Sequence, residues 1–362
     1  MHLAWLELVD FRCYTSLRFE PEPGINVLIG ANGAGKTSVL EAVGYLGLLR
    51  SVRRTPDEAL VRVGAAAAVV RGGFATPAGE TTVEIELPAG RRRRILLNAK
   101  RPTRNREVLT HVPVVAFIPD DLDLVKRGPA QRREYLDDLA AQLWPQAAAD
   151  QTEYARTLRQ RNSLLRQEGS RADPGTLAVW DERLATGGAQ LLLHRRRVMA
   201  ELDGPLGESY RLVGGTGGLT WSYRSNWMAG DHEDVAGLTG ALQATLEQRR
   251  GRDMEQRTTT AGPHRDGPAL VLDGRDARTR SSQGEQRTAA LSLRVGAYRL
   301  VGAHGPLRPV LLLDDVFSEL DPSRVRGVLD LLGDGQVLVT SARDDEVPIA
   351  GRRWQVQEGG IS

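Results

Sequence analysis

The sequence predicts an α/β protein whose main domain is assembled from both ends of the chain, with a helical domain inserted between them. Short apolar runs separated by glycine and proline, typical of strands, fill about the first 130 residues and return after about residue 254. Between them, apolar residues recur at helical spacing and strand signals are scarce. We therefore predict an N-terminal part of the main domain at 1–130, a helical domain at 131–253 and a C-terminal part at 254–362.

Composition limits the class of protein. The chain has 362 residues, enough for about two domains, and its 41% hydrophobic and 26% charged residues are typical of a folded globular protein. The net charge of +2 is too small to indicate a nucleic-acid or membrane partner by itself. The single Cys13 excludes an internal disulfide, and charge appears by Glu7 where a signal peptide would be apolar. We expect a cytoplasmic protein with no membrane association.

The first predicted unit is a strand, a loop and a helix. Residues 25–29 form an apolar run typical of a buried strand, and Thr37–Leu49 carries apolar residues at helical spacing. Farther along, residues 83–87 and 94–97 are predicted to pair as a hairpin around the turn at 88–90. Strand signals thus dominate this part of the chain.

The middle of the chain is predicted to contain a helical hairpin. A strong helix breaker, Asp173-Pro174-Gly175, separates two long helical patterns, which we expect to fold back on each other as an antiparallel pair. Pro145 should end or kink the preceding helix. The segment 154–168 would be only about 22 Å long, so the arm is short.

A phosphate-binding loop follows the first buried strand. The segment 30–37 fits G-x-x-x-x-G-K-[ST] between a predicted strand and a predicted helix, a context that disfavours an ordinary glycine-rich turn. Its backbone N–H groups would close around phosphate oxygens, Lys36 would meet the β and γ phosphates, and the Thr37 hydroxyl could ligate Mg²⁺. The predicted ATP-binding residues are Gly30, Ala31, Asn32, Gly33, Ala34, Gly35, Lys36, Thr37 and Ser38.

Two acidic residues end a second apolar strand. Residues 310–313 are followed by Asp314 and Asp315, at the strand end where a doubly wound sheet presents its ligands. We predict that Asp314 holds Mg²⁺ and that Asp315 orients or deprotonates the attacking water, with Lys36 as its catalytic partner. Taken alone, the same acids could merely end a buried strand, but the phosphate loop favours the functional interpretation.

A polar turn at 281–287 opens a further predicted helix. Alone it is typical of a helix cap. The motifs occur in the order phosphate loop, polar turn, carboxylate strand and Ser318-Glu319-Leu320-Asp321. This order resembles that of the ABC ATPase family. The resemblance implies a signature motif acting in trans across an ATP-dependent homodimer, with Ser318 and Asp321 in the D-loop. The signature residues would be Ser282, Gln283, Gly284, Glu285 and Gln286.

The sequence departs from the wider ABC pattern. Asp315 stands where transport ATPases usually carry glutamate, and a shorter side chain places water less well, so slow hydrolysis is expected. Thr340 and Ser341 stand where many members carry a switch histidine, which leaves a polar contact to the γ-phosphate open but excludes a histidine mechanism. The Mg²⁺-sensing glutamine is not evident, although 117–126 occupies the corresponding region.

Matches along the whole chain narrow the resemblance to the RecF family of bacterial recombination mediators, related to chromosome-maintenance ATPase heads. The resemblance implies a weak, DNA-stimulated ATPase of gap repair, replication restart and the SOS response, which works with RecO and RecR to load RecA. It also implies sequence-independent binding to single-stranded, duplex or junction DNA. The matching segments are Asp10-Phe11-Arg12, Gly30–Ser38, Phe117–Leu122, Leu124–Lys126, Arg132-Arg133, Gly262–Asp266, Ser282–Gln286 and Leu312–Asp321.

Clustered arginines are candidates for contacts to DNA phosphates. Arginine clusters neutralise phosphates without reading bases, and the 5% aromatic content offers few stacking platforms. Taken alone, each cluster is usually a solvated face. His264 makes a metal site conceivable, but no second His or Cys lies at ligand spacing. The clusters are Arg91–Arg94; Lys100, Arg101, Arg104 and Arg106; Arg132 and Arg133; Arg195–Arg197; and Arg249, Arg250 and Arg252.

Two other classes of protein share a phosphate loop. The nucleotide-binding subunit of a membrane transporter usually has a compact helical lobe, whereas 131–213 here is longer and rich in arginine. A small-molecule kinase would leave the motifs at 281–286 and 318–321 unexplained. An ATP-gated DNA clamp accounts for the phosphate loop, the arginine-rich helical segment and the motifs at 281–286 and 318–321.

Overall fold

The computed structural model describes residues 1–105, 107–227, 233–317, 324–325, 327–328 and 335–362. Its strands are β1 His2–Phe11, β2 Tyr14–Phe19, β3 Ile25–Ile29, β4 Ala67–Thr76, β5 Gly79–Pro88, β6 Arg94–Leu97, β7 Val114–Phe117, β8 Leu219–Arg224, β9 Gly267–Leu272, β10 Arg275–Asp276, β11 Val310–Asp314, β12 Val337–Ser341, β13 Arg352–Gln357 and β14 Gly360–Ile361. Its α-helices are α1 Lys36–Leu48, α2 Glu107–His111, α3 Asp123–Lys126, α4 Pro129–Leu143, α5 Pro145–Glu168, α6 Pro174–Leu212, α7 Val235–Gln256, α8 Ala277–Arg280 and α9 Gln283–His304.

The chain divides into two compact units. The first contains 1–123, 205–217 and 282–362, and the second contains 124–204 and 218–281. Because the first unit holds both ends of the chain and the helical segment interrupts it, the predicted α/β architecture is confirmed. The units depart from the predicted boundaries at 130 and 253. Residues 254–281 fall in the second unit because β9 pairs with β8 there in an antiparallel ladder.

A six-stranded sheet organises the first unit. Its order is β14-β13-β3-β12-β11-β7, and all neighbouring pairs except β13–β14 are parallel. The predicted strands at 25–29 and 310–313 are confirmed. Asp314 lies opposite Thr340, and Ser341 lies opposite Ile29. The carboxyl ends of β3, β11 and β12 therefore share one edge of the sheet.

A five-stranded antiparallel sheet, β2-β1-β4-β5-β6, completes the first unit. The predicted hairpin is confirmed, with Val83 opposite Leu97. The buried side chain of Gln336 accepts a hydrogen bond from Leu3 N (2.7 Å) and donates to Leu3 O (3.0 Å). This pair joins β1 to the residue before β12.

The second unit contains the predicted helical hairpin. Asp150 on α5 bonds His194 on α6 at 2.8 Å, and Arg161 on α5 bonds Asp181 on α6 at 2.7 Å, so the two helices run antiparallel. The prediction for Pro145 is also correct. Helix α4 ends at Leu143, and α5 begins at the proline, whose missing N–H is harmless at a first helical position. No helix in the described ranges is both long enough and apolar enough to cross a membrane.

A buried arginine holds this unit together. Arg161 is fully buried, and its guanidinium bonds Asp181 (2.7 Å), Asp253 (2.7 Å) and Thr259 (2.9 Å). A buried charge without a partner is strongly destabilising, so these contacts fix α5, α6 and the end of α7 to one another. A sequence pattern alone could not identify which of many arginines is buried.

Candidate nucleotide-binding site

A cleft of about 670 Å³ lies in the first unit, at the carboxyl edge of the six-stranded sheet. It contains two of the three predicted motifs, the phosphate loop and the paired acids. The predicted residues that line it are Asn32, Gly33, Gly35, Lys36, Thr37, Ser38, Asp314 and Asp315. Thus motifs separated by almost 300 residues in sequence meet in one site.

Close packing fixes the glycines of the loop. Gly35 has a φ of +107°, and a Cβ there would lie 2.5 Å from the hydroxyl oxygen of Tyr14. A Cβ at Gly30 would lie 2.3 Å from the carbonyl oxygen of Val356. Helix α1 begins at Lys36, directly after this turn, so its first N–H groups lie beside the cleft. The loop can therefore approach an anion with its backbone.

Lys36 lies against the loop that it would serve. Its Nζ donates hydrogen bonds to the carbonyl oxygens of Gly30 (2.6 Å) and Ala31 (2.9 Å), and its side chain is buried. Burial lowers the pKa of its ammonium group, while the carboxylates of Asp315 and Asp314 oppose this effect. A lysine ammonium has three N–H donors, and the hydrogen bonds that they make to the loop carbonyls can be exchanged for bonds to phosphate oxygens.

The two predicted Mg²⁺ ligands, Thr37 and Asp314, lie in contact. Thr37 Oγ1 donates to Asp314 Oδ1 at 2.9 Å, so a hydroxyl and a carboxylate meet beside the phosphate loop. Asp315 is exposed and lines the same cleft. Mg²⁺ prefers one or two protein oxygens, with water and phosphate oxygens completing its shell. The donor set therefore fits a Mg²⁺ bound together with a nucleotide.

The cleft also contains residues outside the phosphate loop and the paired acids. Arg12 donates to Glu41 on α1 (2.7 Å) and to Thr55 Oγ1 (3.0 Å), which connects the β1–β2 turn to the helix after the phosphate loop. Val63 is 95% exposed and presents an apolar side chain at the cleft. The remaining lining residues are Cys13, Arg53, Ala59, Val61, Ile118, Pro119, Asp120, Thr340 and Ala342. Residues 118–120 thus come from the region 117–126, in which no Mg²⁺-sensing glutamine was evident.

The two residues at the switch position have different environments. Ser341 Oγ donates to Glu346 Oε2 (2.7 Å) and to Arg343 O (2.9 Å), so it is tied to the loop that follows β12. Thr340 lines the cleft and bonds Asp314 at 2.7 Å. Of the two residues, only the threonine lines the cleft, and there it contacts Asp314.

The predicted signature turn caps a helix. Helix α9 begins at Gln283, Ser282 Oγ accepts from Glu285 N (3.3 Å), and Ser282 N donates to Glu285 Oε2 (2.6 Å). This reciprocal pair is a capping box. In the described part of the chain, none of residues 282–286 lines the nucleotide cleft. The predicted D-loop residues Ser318 and Asp321 lie outside the described residues.

One arginine in each of three predicted clusters is held inside the second unit. Arg132 is buried and donates to the backbone carbonyl oxygens of Pro268 (2.6 Å) and Leu124 (2.8 Å). Arg195 bonds Asp137 at 2.6 Å and Arg250 bonds Asp181 at 2.8 Å. These guanidinium groups are committed to the second unit and are not available to DNA phosphates.

The segment 262–266 is also internal. The ring of His264 bonds the Tyr154 hydroxyl through Nδ1 (2.7 Å) and Thr259 O through Nε2 (3.2 Å). Burial lowers the pKa of His264 to about 4, so the ring is neutral near pH 7. Because both nitrogens are occupied, His264 is not a metal ligand here.

Asp266 is buried in the same region. Its carboxylate accepts hydrogen bonds from the Tyr223 hydroxyl (2.9 Å) and from Trp227 Nε1 (3.0 Å). Burial raises its pKa to about 6 despite these donors. The segment therefore contributes a buried polar network to the second unit.

The raised pKa of Asp266 predicts a pH-dependent stability with a definite sign. Between the ordinary value of 3.8 and about 6, the folded chain keeps a proton that the unfolded chain releases. The contribution of Asp266 to the free energy of unfolding is therefore fully present below pH 3.8 and is lost as the pH rises to about 6. Relative to the wild type, the free energy of unfolding of Asp266→Asn should rise by roughly 2–3 kcal/mol from pH 4 to pH 6. Urea unfolding followed by circular dichroism measures this difference.

Asp203→Asn is the matched control, because it removes an exposed carboxylate from α6 outside the network. Its free energy of unfolding should follow that of the wild type across the same range. A flat or falling relative free energy for Asp266→Asn would show that the buried carboxyl does not hold its proton above pH 4.

The phosphate loop, the carboxylate strand and a capped signature-type helix in one α/β unit define a P-loop ATPase head of the ABC type. The family model for the RecF/RecN/SMC N terminal domain matches residues 2–359. A DNA replication and repair protein RecF from Kineococcus radiotolerans is 41% identical, covering 97% of this chain and 95% of that protein. The chain belongs to the RecF family.

Two further comparisons support this assignment. A DNA replication and repair protein RecF from Acidothermus cellulolyticus is 40% identical, covering 100% of this chain and 99% of that protein. A solved structure of the recombination mediator protein RecF-ATP in the RecFOR pathway has a TM-score of 0.93 and 28% identity, covering 100% of this chain and 97% of that one. The likeness thus extends over the whole chain in both sequence and fold.

Proposed function

We propose that this chain is an ATP-dependent DNA-binding protein of recombinational gap repair, replication restart and SOS induction, which helps RecO and RecR to load RecA in the cytoplasm. The observation that carries the proposal is the convergence of Lys36, Thr37 and Asp314 in one cleft. The names of its relatives support a role in DNA replication and repair, and that of the solved neighbour supports ATP and the RecFOR pathway. The transporter alternative is not favoured by any of these relatives.

ATP hydrolysis is proposed to be slow and to use Asp315. A water oxygen would bond to the γ-phosphorus while the bond to the bridging oxygen breaks, and its electron pair would leave with ADP. Asp315 would accept the proton of that water, and Lys36 would stabilise charge on the phosphate oxygens. Mg²⁺, held through Thr37 and Asp314, would neutralise phosphate charge. The short side chain of Asp315 supports weak turnover.

The protein is proposed to act as an ATP-gated dimeric clamp. Each chain has one phosphate loop and one signature turn, and residues 282–286 do not line the chain's own cleft in the described structure. A second copy could bring its signature to the γ-phosphate, so that nucleotide becomes part of a two-fold interface. ADP lacks this phosphate, so hydrolysis would open the clamp and release DNA.

Nucleotide-dependent binding to gapped DNA tests the proposed function. Fluorescence anisotropy with a gapped duplex should show tight binding with ATP and Mg²⁺ and weak binding with ADP or without nucleotide. Equal affinity in all three conditions would contradict an ATP-gated clamp. Strong preference for one base sequence would contradict binding through phosphates.

We propose that DNA phosphates bind to a basic surface formed by the turn of the β5–β6 hairpin and the residues that follow β6. The segment 88–105 contains seven basic side chains and no acidic one. Arg93 is committed internally, donating to the Tyr45 hydroxyl at 2.7 Å. The other six are exposed, and none has an ion-pair partner among the described residues. We call them the hairpin patch: Arg91, Arg92, Arg94, Lys100, Arg101 and Arg104.

Removing four charges from the hairpin patch should weaken DNA binding and its dependence on salt. For the combined variant Arg91→Ser, Arg92→Ser, Lys100→Ser and Arg101→Ser, the slope of log affinity against log salt should fall by roughly 3–4, since each phosphate contact contributes about one unit. Affinity at low salt should fall by about 10- to 1,000-fold. Titrations of gapped DNA at several salt concentrations measure both quantities.

The control removes three exposed arginines from α5. Arg156, Arg159 and Arg166 lie on the second unit, and their replacement by serine should leave the salt slope within about half a unit. Equal losses in both variants would show that total charge, and not the hairpin patch, determines binding. ATP binding should be unchanged in both, because neither set lines the nucleotide cleft.

A further inference from the structure

The Thr340 hydroxyl connects both acids of the carboxylate strand. Its Oγ1 donates to Asp314 Oδ1 at 2.7 Å and accepts from the backbone N–H of Asp315 at 3.0 Å. The parallel register of β11 and β12 places Asp314 directly opposite Thr340, which makes this contact possible. One side chain therefore contacts the proposed metal ligand and the backbone of the proposed water-orienting residue.

The backbone of Asp315 needs such a contact. Its φ is +51°, in the left-handed region that residues other than glycine rarely adopt. Strand β11 ends at Asp314, so the N–H of Asp315 lies beyond the strand's ladder pairs with β12. The bond from this N–H to Thr340 Oγ1 holds the turn that presents the exposed Asp315 carboxylate at the cleft.

Asp314 is oriented from two sides. Oδ1 accepts from Thr340 at 2.7 Å and from Thr37 at 2.9 Å. If Thr37 held a metal ion, its hydroxyl could no longer hold Asp314 in the same way. Thr340, which is 1% exposed and comes from a different strand, then still holds the carboxylate in place.

The burial of β12 does not by itself favour a hydroxyl group at position 340. The preceding residues of β12, Val337, Leu338 and Val339, are buried and apolar. Valine has the shape of threonine and a high strand propensity, so packing alone does not require the hydroxyl. A buried hydroxyl is retained without cost only when it is hydrogen-bonded, and here it makes both a donor and an acceptor bond.

We infer that Thr340 is a positioning residue for ATP hydrolysis, which fixes Asp314 for Mg²⁺ and Asp315 for the attacking water. The inference rests on the proposed ATPase activity and adds to it a residue that acts through the two acids. It predicts a defect in metal binding and turnover with little change in nucleotide affinity, because the phosphate loop is untouched.

Thr340→Val removes the hydroxyl and keeps the shape of the side chain. Loss of a group that orients metal ligands typically lowers metal affinity or activity by about 10- to 100-fold, and we expect kcat to fall in this range. KM for ATP should change by less than about threefold. Electron paramagnetic resonance with Mn²⁺ and a non-hydrolysable ATP analogue should show roughly tenfold weaker Mn²⁺ binding.

Thr340→Ser is the matched control, since it keeps the hydroxyl and should restore both Mn²⁺ affinity and kcat to within about threefold of the wild type. If the valine variant fails to fold by circular dichroism, Thr340→Ala is measured in its place. Wild-type kcat and Mn²⁺ affinity in a folded variant without the hydroxyl would overturn the inference. A wild-type chain that neither binds nor hydrolyses ATP would instead contradict the proposed function.

Discussion

Lys36→Arg is expected to weaken ATP binding by on the order of 100-fold, about 2.7 kcal/mol, while the fold remains intact. The Lys36 ammonium is buried and lies 2.6 Å from the carbonyl oxygen of Gly30. A planar guanidinium is larger and cannot take the place of a compact charge in this space. The same packing that excludes side chains from Gly30 and Gly35 leaves the loop no room to expand. Calorimetric titration with ATP and Mg²⁺ measures the loss.

Lys126→Arg is the matched control for this variant. Lys126 is exposed and does not line the cleft, so the same substitution there should leave ATP affinity within about twofold. Circular dichroism should show the same melting temperature for both variants. ATP affinity of Lys36→Arg equal to that of the wild type would show that Lys36 does not contact the phosphates.

Local patterns predicted the nucleotide site because its chemistry is concentrated in short segments. The loop at 30–38 combines glycines that need special backbone conformations with one lysine and one hydroxyl, a combination that chance rarely produces. Strand β11 is an apolar run that ends in two acids. Parallel strands bring their carboxyl ends to one edge, so the meeting of Thr37 and Asp314 follows from the strand pattern.

Local sequence patterns could not predict which residues pair across long separations in the chain. Arg161, Arg195 and the exposed Arg91 are the same kind of residue in sequence, yet the first two are buried against carboxylates that are 20 and 58 residues away. For the same reason, local signals did not group residues 254–281 with the second unit, where β9 pairs with β8. Hydrophobic periodicity shows which face is buried but not which partner covers it.

The proposed composite ATP site has the clearest consequence for assembly. Ser282 is exposed at the start of α9 and is not among the described residues that line the nucleotide cleft. Backbone N–H groups at the start of a helix, with the helix dipole behind them, attract an anion such as a γ-phosphate. If that phosphate is bound to a second copy, ATP joins the two chains.

Ser282→Arg is therefore expected to abolish ATP-dependent dimerisation while ATP affinity of the monomer stays within about twofold of the wild type. The arginine adds bulk at the proposed contact but does not touch the residues at 30–37. Analytical ultracentrifugation with a non-hydrolysable ATP analogue and Mg²⁺ should show a dimer for the wild type and a monomer for the variant. Without nucleotide, both should sediment as monomers.

The variant also removes a helix cap, which alone costs roughly 1 kcal/mol, so the control must remove a cap as well. Asp234 caps α7 by accepting a hydrogen bond from Gly237 N at 2.7 Å. Asp234→Arg makes the equivalent change in the second unit and should dimerise like the wild type, whereas Ser282→Thr should keep both the cap and the dimer. A wild-type chain that stays monomeric at saturating analogue, or a Ser282→Arg variant that dimerises normally, would rule out the composite site. Loss of dimerisation in both arginine variants would trace the effect to helix capping and not to the signature contact.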